Sequence, residues 1–349
     1  MIMGVKLAKI SVIIPCYNVE DFVARCLDSL LKQTLSDIEI ICVDDKSTDD
    51  TLKILKQYAK QDKRIKVIAH KENSGVSVAR NTGIDAAGSD YLCVVDPDDY
   101  VDADFYEKLY NKITSTNADV AHGSFIATNL VTNASWTVVY KPGKKYIFAH
   151  WTGLYRRKFL KENNIRYNPE LKNSEDTLFI TEVVLKTRKI EYVKDAYYHY
   201  FHLRTNSLDS QSFSHSKAMS LLKSWNIKVR LIQDANLSSR DTNDFLIQVV
   251  AKSVASVIKF KDFENSQDTL DVFKFMVMLY NKYNVKKYFK KEFGSVRCKS
   301  IKRENFDAFM SYEKQRLYLF GFLPLVKIEK MQSVRYIKLF EIIPLFKLK

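Results

Sequence analysis

Apolar runs alternate with amphipathic segments through the first third of the chain. Buried strands are predicted where the sequence is predominantly apolar, at residues 10–14, 38–43, 65–69 and 91–95. Helices are predicted between them, where apolar residues recur at helical spacing, at residues 21–31, 49–59 and 77–87. Asp49 or Asp50 is placed to cap the second helix, and Gly88 to end the third. The alternation predicts a Rossmann-like α/β domain with a mostly parallel sheet and helices on both faces.

The pattern changes after about residue 118. Strands of a mixed extension are predicted at residues 119–127, 136–140 and 191–201, and helices at residues 156–163 and 177–186. From residue 214 to about residue 293 the pattern is mainly helical, with an apolar face formed by Val249, Val250, Val254, Val257 and Ile258. We therefore predict an α/β domain at residues 1–210, a helical region at residues 211–300 and a tail at residues 301–349.

The tail is basic and aromatic and contains a two-copy repeat. Residues 319–328 read LFGFLPLVKI, and residues 339–348 read LFEIIPLFKL. Residues 281–349 hold 17 Lys and Arg against 6 Asp and Glu, whereas the other 280 residues hold 38 against 35. Apolar residues interleaved with lysines are compatible with a solvated face or with attachment to an anionic membrane surface. Because no nucleic-acid-binding motif accompanies the charge, we expect no nucleic-acid partner.

The composition is typical of a folded intracellular protein. Apolar residues make up 46% of the chain, and no run approaches the ~18 apolar residues of a bilayer-spanning helix. The first apolar run is short and lacks a signal-peptide cleavage pattern. The five cysteines are odd in number and lack CxxC spacing, which indicates buried thiols in a reducing compartment. We therefore expect a cytoplasmic protein.

Acidic residues gather where the fourth predicted strand ends. Asp96 and Asp98 belong to the run Asp96-Pro97-Asp98-Asp99 that follows it. Mg²⁺ and Mn²⁺ prefer oxygen ligands and usually take one or two carboxylates together with substrate phosphates. The run is therefore a candidate metal site. An Asp-Pro turn leading into the next helix is equally compatible with these residues.

Two further segments place polar groups near the same edge of the predicted sheet. Asp45 follows the second strand and offers an acceptor for a nucleotide base, although the residues after it are also ordinary turn residues. Arg80 lies in the predicted third helix, where it either faces solvent or contacts a phosphate. Because the carboxyl ends of parallel strands meet at one edge, these groups are expected to converge on one ligand crevice.

Four segments together resemble family-2 glycosyltransferases, which have the GT-A fold. In order, they are ISVIIPCYN at residues 10–18, VDDKSTD at 43–49, NSG at 73–75 with ARNTG at 79–83, and DPDD at 96–99. The resemblance covers about residues 9–210 and implies an enzyme that uses a nucleotide-sugar donor. The sequence departs from the family at Pro97, where Ser is usual, and at Lys46, where Gly is common.

The resemblance implies a donor site and a metal site. The donor-binding residues that it implies are Pro15, Tyr17, Asn18, Asp45, Arg80 and Asp96. Among them, Asp45 matches a base-binding position and Asp96 a ribose-side carboxylate. Asp98 matches the metal-binding carboxylate, so Mn²⁺ or Mg²⁺ is the implied cofactor, with His202 as a further candidate ligand. UDP is the implied nucleotide carrier.

The second half of the α/β domain is expected to supply a catalytic base. Asp176 matches the family's base, which takes the proton of the acceptor hydroxyl during inverting transfer. The residues alone are also explained by a carboxylate at a helix start, favoured by the helix dipole. The candidates for the acceptor or diphosphate side are Trp151, Glu175, His202 and Arg204. Trp151 is equally compatible with a buried aromatic residue.

Together these inferences predict a metal-assisted inverting glycosyltransferase of the hexosyl- or N-acetylhexosaminyltransferase class. The expected partners are a nucleotide-sugar donor, a glycan or lipid-linked saccharide acceptor, and an anionic membrane surface contacted by the tail. The resemblance implies bacterial surface polysaccharide or lipooligosaccharide synthesis at the inner face of the cytoplasmic membrane. The alternatives are a nucleotidyltransferase with a similar sheet and a non-catalytic nucleotide- or glycan-binding relative. A nucleotidyltransferase would more typically carry a Gly-rich phosphate loop near the first strand, and residues 14–18 contain none.

Overall fold

A computed structural model describes most of the chain. The described residues are 8–130, 132–139, 149–187, 189–202, 214–260, 266–307, 309–310, 326–331 and 334–339. The chain divides into two compact units, Met1–Thr205 with Lys223–Asn236, and Asn206–Leu222 with Leu237–Lys349. The domain boundaries drawn from the sequence stay predictions.

The predicted alternation in the first third of the chain is confirmed. In order, the elements are β1 (Ile10–Cys16), α1 (Val23–Leu31), β2 (Ile38–Asp44), α2 (Thr51–Gln61), β3 (Ile65–Ala69), α3 (Val76–Ala86) and β4 (Tyr91–Val94). At the start of α2, Asp50 occupies the cap position while the Asp49 carboxylate accepts the Thr51 N–H at 3.0 Å. The prediction that Gly88 ends α3 is wrong, because the last helical residue is Ala86 and Ala87 already has an extended backbone.

The remaining elements of this unit extend its sheet with both antiparallel and parallel strand pairs. They are β5 (Tyr100–Val101), α4 (Phe105–Thr116), β6 (Val120–Asn129), β7 (Ser135–Val138), a 3₁₀ turn (His150–Thr152), β8 (Gly153–Arg156), α5 (Arg157–Glu162), α6 (Glu175–Lys186) and β9 (Ile190–His202). The described strands of this unit form one sheet in the order β3-β2-β1-β4-β8-β6-β9-β5, with β7 paired to β6. The pairs among β1 to β4 are parallel, whereas β8 is antiparallel to both β4 and β6. The short strand β8 is absent from the sequence prediction, yet it joins the two halves of the sheet.

The core of this unit lies between the sheet and its helices. β1, β2 and β4 are buried along their whole length, as expected for strands covered on both faces. α3 packs closely on β1, since a Cβ at Gly83 would overlap the Ile13 side chain. All five cysteines are unpaired and buried, which confirms the predicted burial of the thiols.

The region from residue 214 to residue 302 is mainly helical in the described ranges, as predicted for most of it. Its helices are α7 (His215–Asp234), α8 (Ser239–Leu246), a π-helical turn (Ile247–Ala251), α9 (Lys252–Phe260), α10 (Ser266–Lys282) and α11 (Lys286–Lys302). The predicted apolar face from Val249 to Ile258 is buried. None of the helices in the described ranges is both long enough and apolar enough to cross a membrane.

In the predicted tail, β10 (Val326–Met331) and β11 (Val334–Leu339) pair as an antiparallel hairpin. Most of the two repeat copies, at residues 319–325 and 340–348, lies outside the described residues.

Candidate active site

Three of the strand ends lie at one edge of the sheet, as predicted. β1 pairs with β2 on one side, where Cys16 is opposite Asp44, and with β4 on the other, where Ile13 is opposite Val94. The Asp45 N–H donates to the Cys16 carbonyl at 2.8 Å, which joins the first two ends directly. The loops that carry the candidate residues therefore leave the sheet side by side.

Tyr17 and Asn18 form the loop after β1. The Asn18 side-chain oxygen accepts the Thr48 N–H at 2.8 Å, and the backbone N–H of Asn18 donates to Ser47 Oγ at 3.1 Å. These bonds tie the loop after β1 to the loop after β2, while Tyr17 is 46% exposed. Pro15 is buried within β1. Tyr17 and Asn18 are both exposed, so this loop presents accessible surface to a ligand.

Asp45 orders the loop that leads into α3. Its buried carboxylate accepts the N–H of Ser74 at 3.0 Å and of Gly75 at 2.7 Å, and His70 Nδ1 lies 2.7 Å from Oδ1. Gly75 has a φ of +90°, a conformation that glycine adopts at little steric cost. The other His70 nitrogen lies 3.0 Å from Thr82 Oγ1. No sequence pattern singles out His70. Base binding by Asp45 stays a prediction.

Arg80 connects two acidic motifs in the interior of the site. Its guanidinium donates to Glu175 Oε1 at 2.7 Å and to Asp96 Oδ1 at 3.0 Å, and it faces the Tyr167 ring at 5.0 Å. The side chain is 6% exposed. Burial alone would lower the pKa of Arg80, but the carboxylates of Asp96 and Glu175 raise it above its ordinary value. Arg80 is therefore a permanent cation between these two carboxylates.

His150 and Tyr167 line the same interior region and were not identified from the sequence. His150 Nδ1 lies 2.9 Å from the Tyr167 hydroxyl, and its Nε2 lies 4.0 Å from Asp96 Oδ2. Burial, assisted by the Arg80 charge, lowers the pKa of His150 to about 4, so the imidazole is neutral at pH 7. The Asn81 side-chain amide makes two hydrogen bonds with the Tyr167 backbone. Its nitrogen donates to the Tyr167 carbonyl at 2.7 Å, and its oxygen accepts the Tyr167 N–H at 3.0 Å. Asn81 lies in the ARNTG segment of the family resemblance, but Tyr167 is 86 residues further along the chain.

The run after β4 is a tight turn, and the structure explains its proline. The Asp99 N–H donates to the Asp96 carbonyl at 3.1 Å, which places Pro97 at the second position of the turn. Proline is favoured there because its fixed φ suits the turn and no N–H is required. The other departure, Lys46, has a φ of +63°, the region in which glycine is preferred. The turn is confirmed, and metal binding by Asp98 stays a prediction.

Asp99 anchors this turn to β9. Its carboxylate accepts the Tyr198 hydroxyl at 2.9 Å and the Phe201 N–H at 2.9 Å. Burial, together with the nearby Asp98, raises the pKa of Asp99 well above its ordinary value. From α1, Arg25 donates to the Asp98 carbonyl at 2.5 Å and lies over the Phe201 ring at 4.0 Å. Asp99 and Arg25 therefore hold the backbone that carries the two candidate carboxylates.

Asp176 lies in the first turn of α6, next to the Arg80 partner Glu175. Its half-buried carboxylate accepts the Thr177 N–H at 2.6 Å. Burial and the Glu175 charge raise the pKa of Asp176, while His150 and Arg80 oppose the shift. The candidate base and the candidate donor residues therefore act on one another electrostatically through Arg80.

The remaining acceptor-side candidates differ in their surroundings. Trp151 is 8% exposed, and its ring stacks on Tyr198 at 4.2 Å and on Tyr200 at 5.4 Å. This placement matches the buried aromatic alternative, and its role toward an acceptor stays a prediction. The side chain of His202 and the whole of Arg204 lie outside the described residues.

Comparison with known sequences identifies the family. The profile of Glycosyl transferase family 2 matches residues 11–172. The uncharacterized glycosyltransferase EpsJ of Bacillus subtilis is 31% identical over 257 residues, which cover 69% of this chain and 74% of EpsJ. A poly(ribitol-phosphate) beta-glucosyltransferase of Bacillus spizizenii is 38% identical over 205 residues, which cover 55% of this chain and 32% of that enzyme.

Comparison with solved structures identifies the fold. The crystal structure of Staphylococcus aureus TarS residues 1–349 in complex with UDP-GlcNAc superposes with a TM-score of 0.72 at 21% identity, covering 94% of this chain and 98% of that one. At this identity the similarity establishes the fold. The chain therefore belongs to glycosyltransferase family 2: it is a glycosyltransferase with a GT-A fold followed by a mainly helical region.

Proposed function

We propose that this glycosyltransferase transfers a hexosyl or N-acetylhexosaminyl group from a UDP-sugar to an acceptor hydroxyl, with inversion, in bacterial surface-polysaccharide or lipooligosaccharide synthesis. The observation that carries the proposal is the pair of ion pairs made by Arg80. It bonds Asp96 of the donor-side turn and Glu175 beside the candidate base, so the two motifs form one site. The solved TarS complex with UDP-GlcNAc supports a UDP-sugar donor. The poly(ribitol-phosphate) glucosyltransferase similarity supports an acceptor of the surface-polymer kind.

On the donor side, the proposal assigns the nucleotide to the edge of the parallel strands. Exposed Tyr17 would contact the base, with Pro15, Asn18 and Asp45 shaping the loops around it. Asp96 would accept a ribose hydroxyl through the carboxylate that Arg80 orients. Because Arg80 is already paired with two carboxylates, it would attract the diphosphate mainly by offsetting their negative charge.

Asp176 would act as the general base. Its carboxylate would accept the acceptor's hydroxyl proton as the oxygen attacks the anomeric carbon opposite the leaving UDP. Burial raises its pKa, and a carboxylate with a raised pKa is a stronger base once it is ionised. His150 lies nearby, but its pKa of about 4 makes the imidazole a weak base, so the proton would go to Asp176.

The residues present fit a divalent cation bound jointly with the donor. Within the described ranges, no group of three or more His, Cys, Asp or Glu side chains could hold a metal ion. Mg²⁺ and Mn²⁺ commonly take only one or two protein carboxylates and obtain their other ligands from substrate phosphates and water. Asp98 would supply the protein carboxylate. When bound, the cation would stabilise negative charge on the diphosphate.

A thermal-shift screen tests the donor and the metal together. We expect UDP, UDP-GlcNAc or UDP-glucose to raise the Tm of the full chain by several degrees at saturating concentration, and Mn²⁺ to enlarge the shift. Asp98→Ala should remove the Mn²⁺-dependent part and leave the metal-free part. Asp90→Ala, at the opposite end of β4, is the matched control and should retain both parts. A full Mn²⁺ effect in Asp98→Ala would contradict the metal assignment. Donor stabilisation without any UDP release would favour a non-catalytic binding relative.

The proposal also places the enzyme at an anionic membrane surface through its basic tail. The tail contains the β10–β11 hairpin, in whose sequence lysines are interleaved with apolar residues. We expect the full chain to sediment with phosphatidylglycerol vesicles at low salt but not with phosphatidylcholine vesicles, since each Lys or Arg near an anionic surface adds about 1 kcal/mol of attraction. Replacing Lys327, Lys330 and Lys338 by Glu should release it. The same change at three exposed lysines of the α2 region, Lys56, Lys60 and Lys63, should have little effect. Equal release by both variants would place the membrane contact elsewhere.

A further inference from the structure

A buried lysine lies behind the turn that carries the candidate base. Lys228 of α7 is 1% exposed. Its ammonium group donates to Ser174 Oγ at 2.9 Å and to Thr177 Oγ1 at 2.7 Å. These two residues flank Glu175 and Asp176 in the sequence. Lys228 therefore bonds the turn on both sides of the proposed catalytic pair without reaching solvent.

The turn that Lys228 contacts has an unusual backbone. Ser174 has a φ of +66°, a left-handed conformation that is uncommon for a residue other than Gly, Asn or Asp. Ser224, one turn before Lys228 on α7, donates to the Ser174 carbonyl at 3.3 Å and lies 3.1 Å from Ser174 Oγ. Thr177 Oγ1 in turn lies 2.6 Å from Ser174 Oγ. α7 thus supplies two side chains to the turn that starts α6.

The charge of Lys228 is costly to bury, and it interacts electrostatically with the candidate base. A buried cation is disfavoured unless it is well paired, and two neutral hydroxyls compensate it only in part. Burial lowers the pKa of Lys228 to about 8, while the charges of Asp176 and Glu175 act in the opposite direction. The same interaction favours the ionised form of Asp176, whose other charged or titratable neighbours are Glu175, His150, Arg80 and Tyr167.

We propose that Lys228 is a positioning residue for the proposed base Asp176, holding the Ser174 turn and favouring the ionised carboxylate. This inference rests on the function proposed above. It assigns a role in turnover to a buried residue of the helical segment after the sheet, whose ammonium group bonds the turn at the start of α6. Because burial disfavours the ammonium group, we expect its removal to reduce turnover more than stability.

Lys228→Met tests the proposal, because methionine preserves most of the apolar stem and removes the ammonium group. In the full chain, UDP release from UDP-GlcNAc and UDP-glucose is measured with water as the acceptor. We expect kcat to fall about 10- to 100-fold, the range produced by small misplacement of a catalytic group. The acid limb of the pH profile should move to higher pH, since the cation no longer favours the Asp176 carboxylate. The Kd for UDP should stay within about threefold, and the Tm should not fall.

Two further variants serve as control and second test. Lys223→Met removes an exposed lysine of the same helix, which bonds Glu170 at 2.7 Å, and should leave kcat unchanged. Ser174→Gly keeps the left-handed turn available and removes only the hydroxyl that Lys228 contacts. It should lower kcat by a smaller factor than Lys228→Met. The proposal is overturned if Lys228→Met retains the wild-type kcat. It is also overturned if the Tm, the UDP affinity and kcat all fall while the acid limb of the pH profile stays where it is in the wild type.

A thermodynamic cycle on Tm decides the charge coupling without any turnover. Lys228→Met should raise the Tm more in an Asp176→Asn background than in the wild type. In that background the buried Lys228 no longer interacts with the Asp176 carboxylate, so removing the lysine relieves a larger cost. Additive Tm changes would overturn the coupling between Lys228 and Asp176. If the wild-type chain releases no UDP from either donor, the proposed function fails, and this cycle still decides the role of Lys228.

Discussion

Replacing Asp176 by Asn is expected to reduce UDP release about 10²- to 10⁴-fold while the Kd for UDP stays unchanged. The amide has the size of the carboxylate but cannot accept the acceptor's proton. The donor-side residues, from Tyr17 to Asp96, follow other strands and keep their contacts in this variant. The measurement is the initial rate of UDP release from the donor that stabilises the wild-type chain, together with UDP binding by calorimetry.

The pH dependence of this variant gives a second test. Because burial and Glu175 raise the pKa of Asp176, wild-type turnover should rise as pH increases through that raised value, and this limb should be absent from Asp176→Asn. A carboxyl whose pKa is raised on folding holds its proton more tightly in the folded state, so it lowers stability above its unfolded pKa. Asp176→Asn should therefore be at least as stable as the wild type at pH 7.

Glu182→Gln is the matched control for Asp176→Asn. Glu182 lies on the same helix, α6, away from the first turn, and its charge is removed by the same type of substitution. It should retain wild-type turnover. If Asp176→Asn also turns over donor at the wild-type rate with the acid limb intact, Asp176 is not the base.

Replacing Arg80 by Met is expected to lower the free energy of unfolding by about 3–5 kcal/mol and to abolish detectable UDP binding. The substitution leaves two carboxylates, Asp96 and Glu175, close together without the cation between them. Removing one partner of a buried ion pair is costly because the remaining charge is left uncompensated in a medium of low polarity. Urea denaturation measures the first effect, and calorimetry with UDP measures the second.

Arg166→Met provides the comparison with an exposed ion pair. Arg166 pairs with Asp85 of α3, and both side chains are exposed. Surface pairs contribute little, so the expected change is within about 0.5 kcal/mol. If Arg80→Met destabilises the chain no more than Arg166→Met, Arg80 does not hold the two acidic motifs together.

Local patterns in the sequence were sufficient to predict the first half of the fold. β1, β2 and β4 are short apolar runs buried by helices on both faces of the sheet, so each is recognisable from a few consecutive residues. The candidate residues Tyr17, Asp45, Asp96 and Asp98 follow from the ends of those strands. Asp176 follows from a family motif at a helix start.

The sequence by itself therefore determined the alternating α/β unit, the helical region and the motifs at the strand ends, since all of these depend on residues close together in the chain. Only the tertiary structure decided how these parts meet. Arg80 bonds Glu175 across 95 residues, and Lys228 bonds Ser174 across 54. The four-residue strand β8 is too short to carry a periodic signal, and it is held by pairing with β4 and β6. Such contacts depend on which surfaces meet after folding, and a local pattern of apolar and polar residues does not encode that choice.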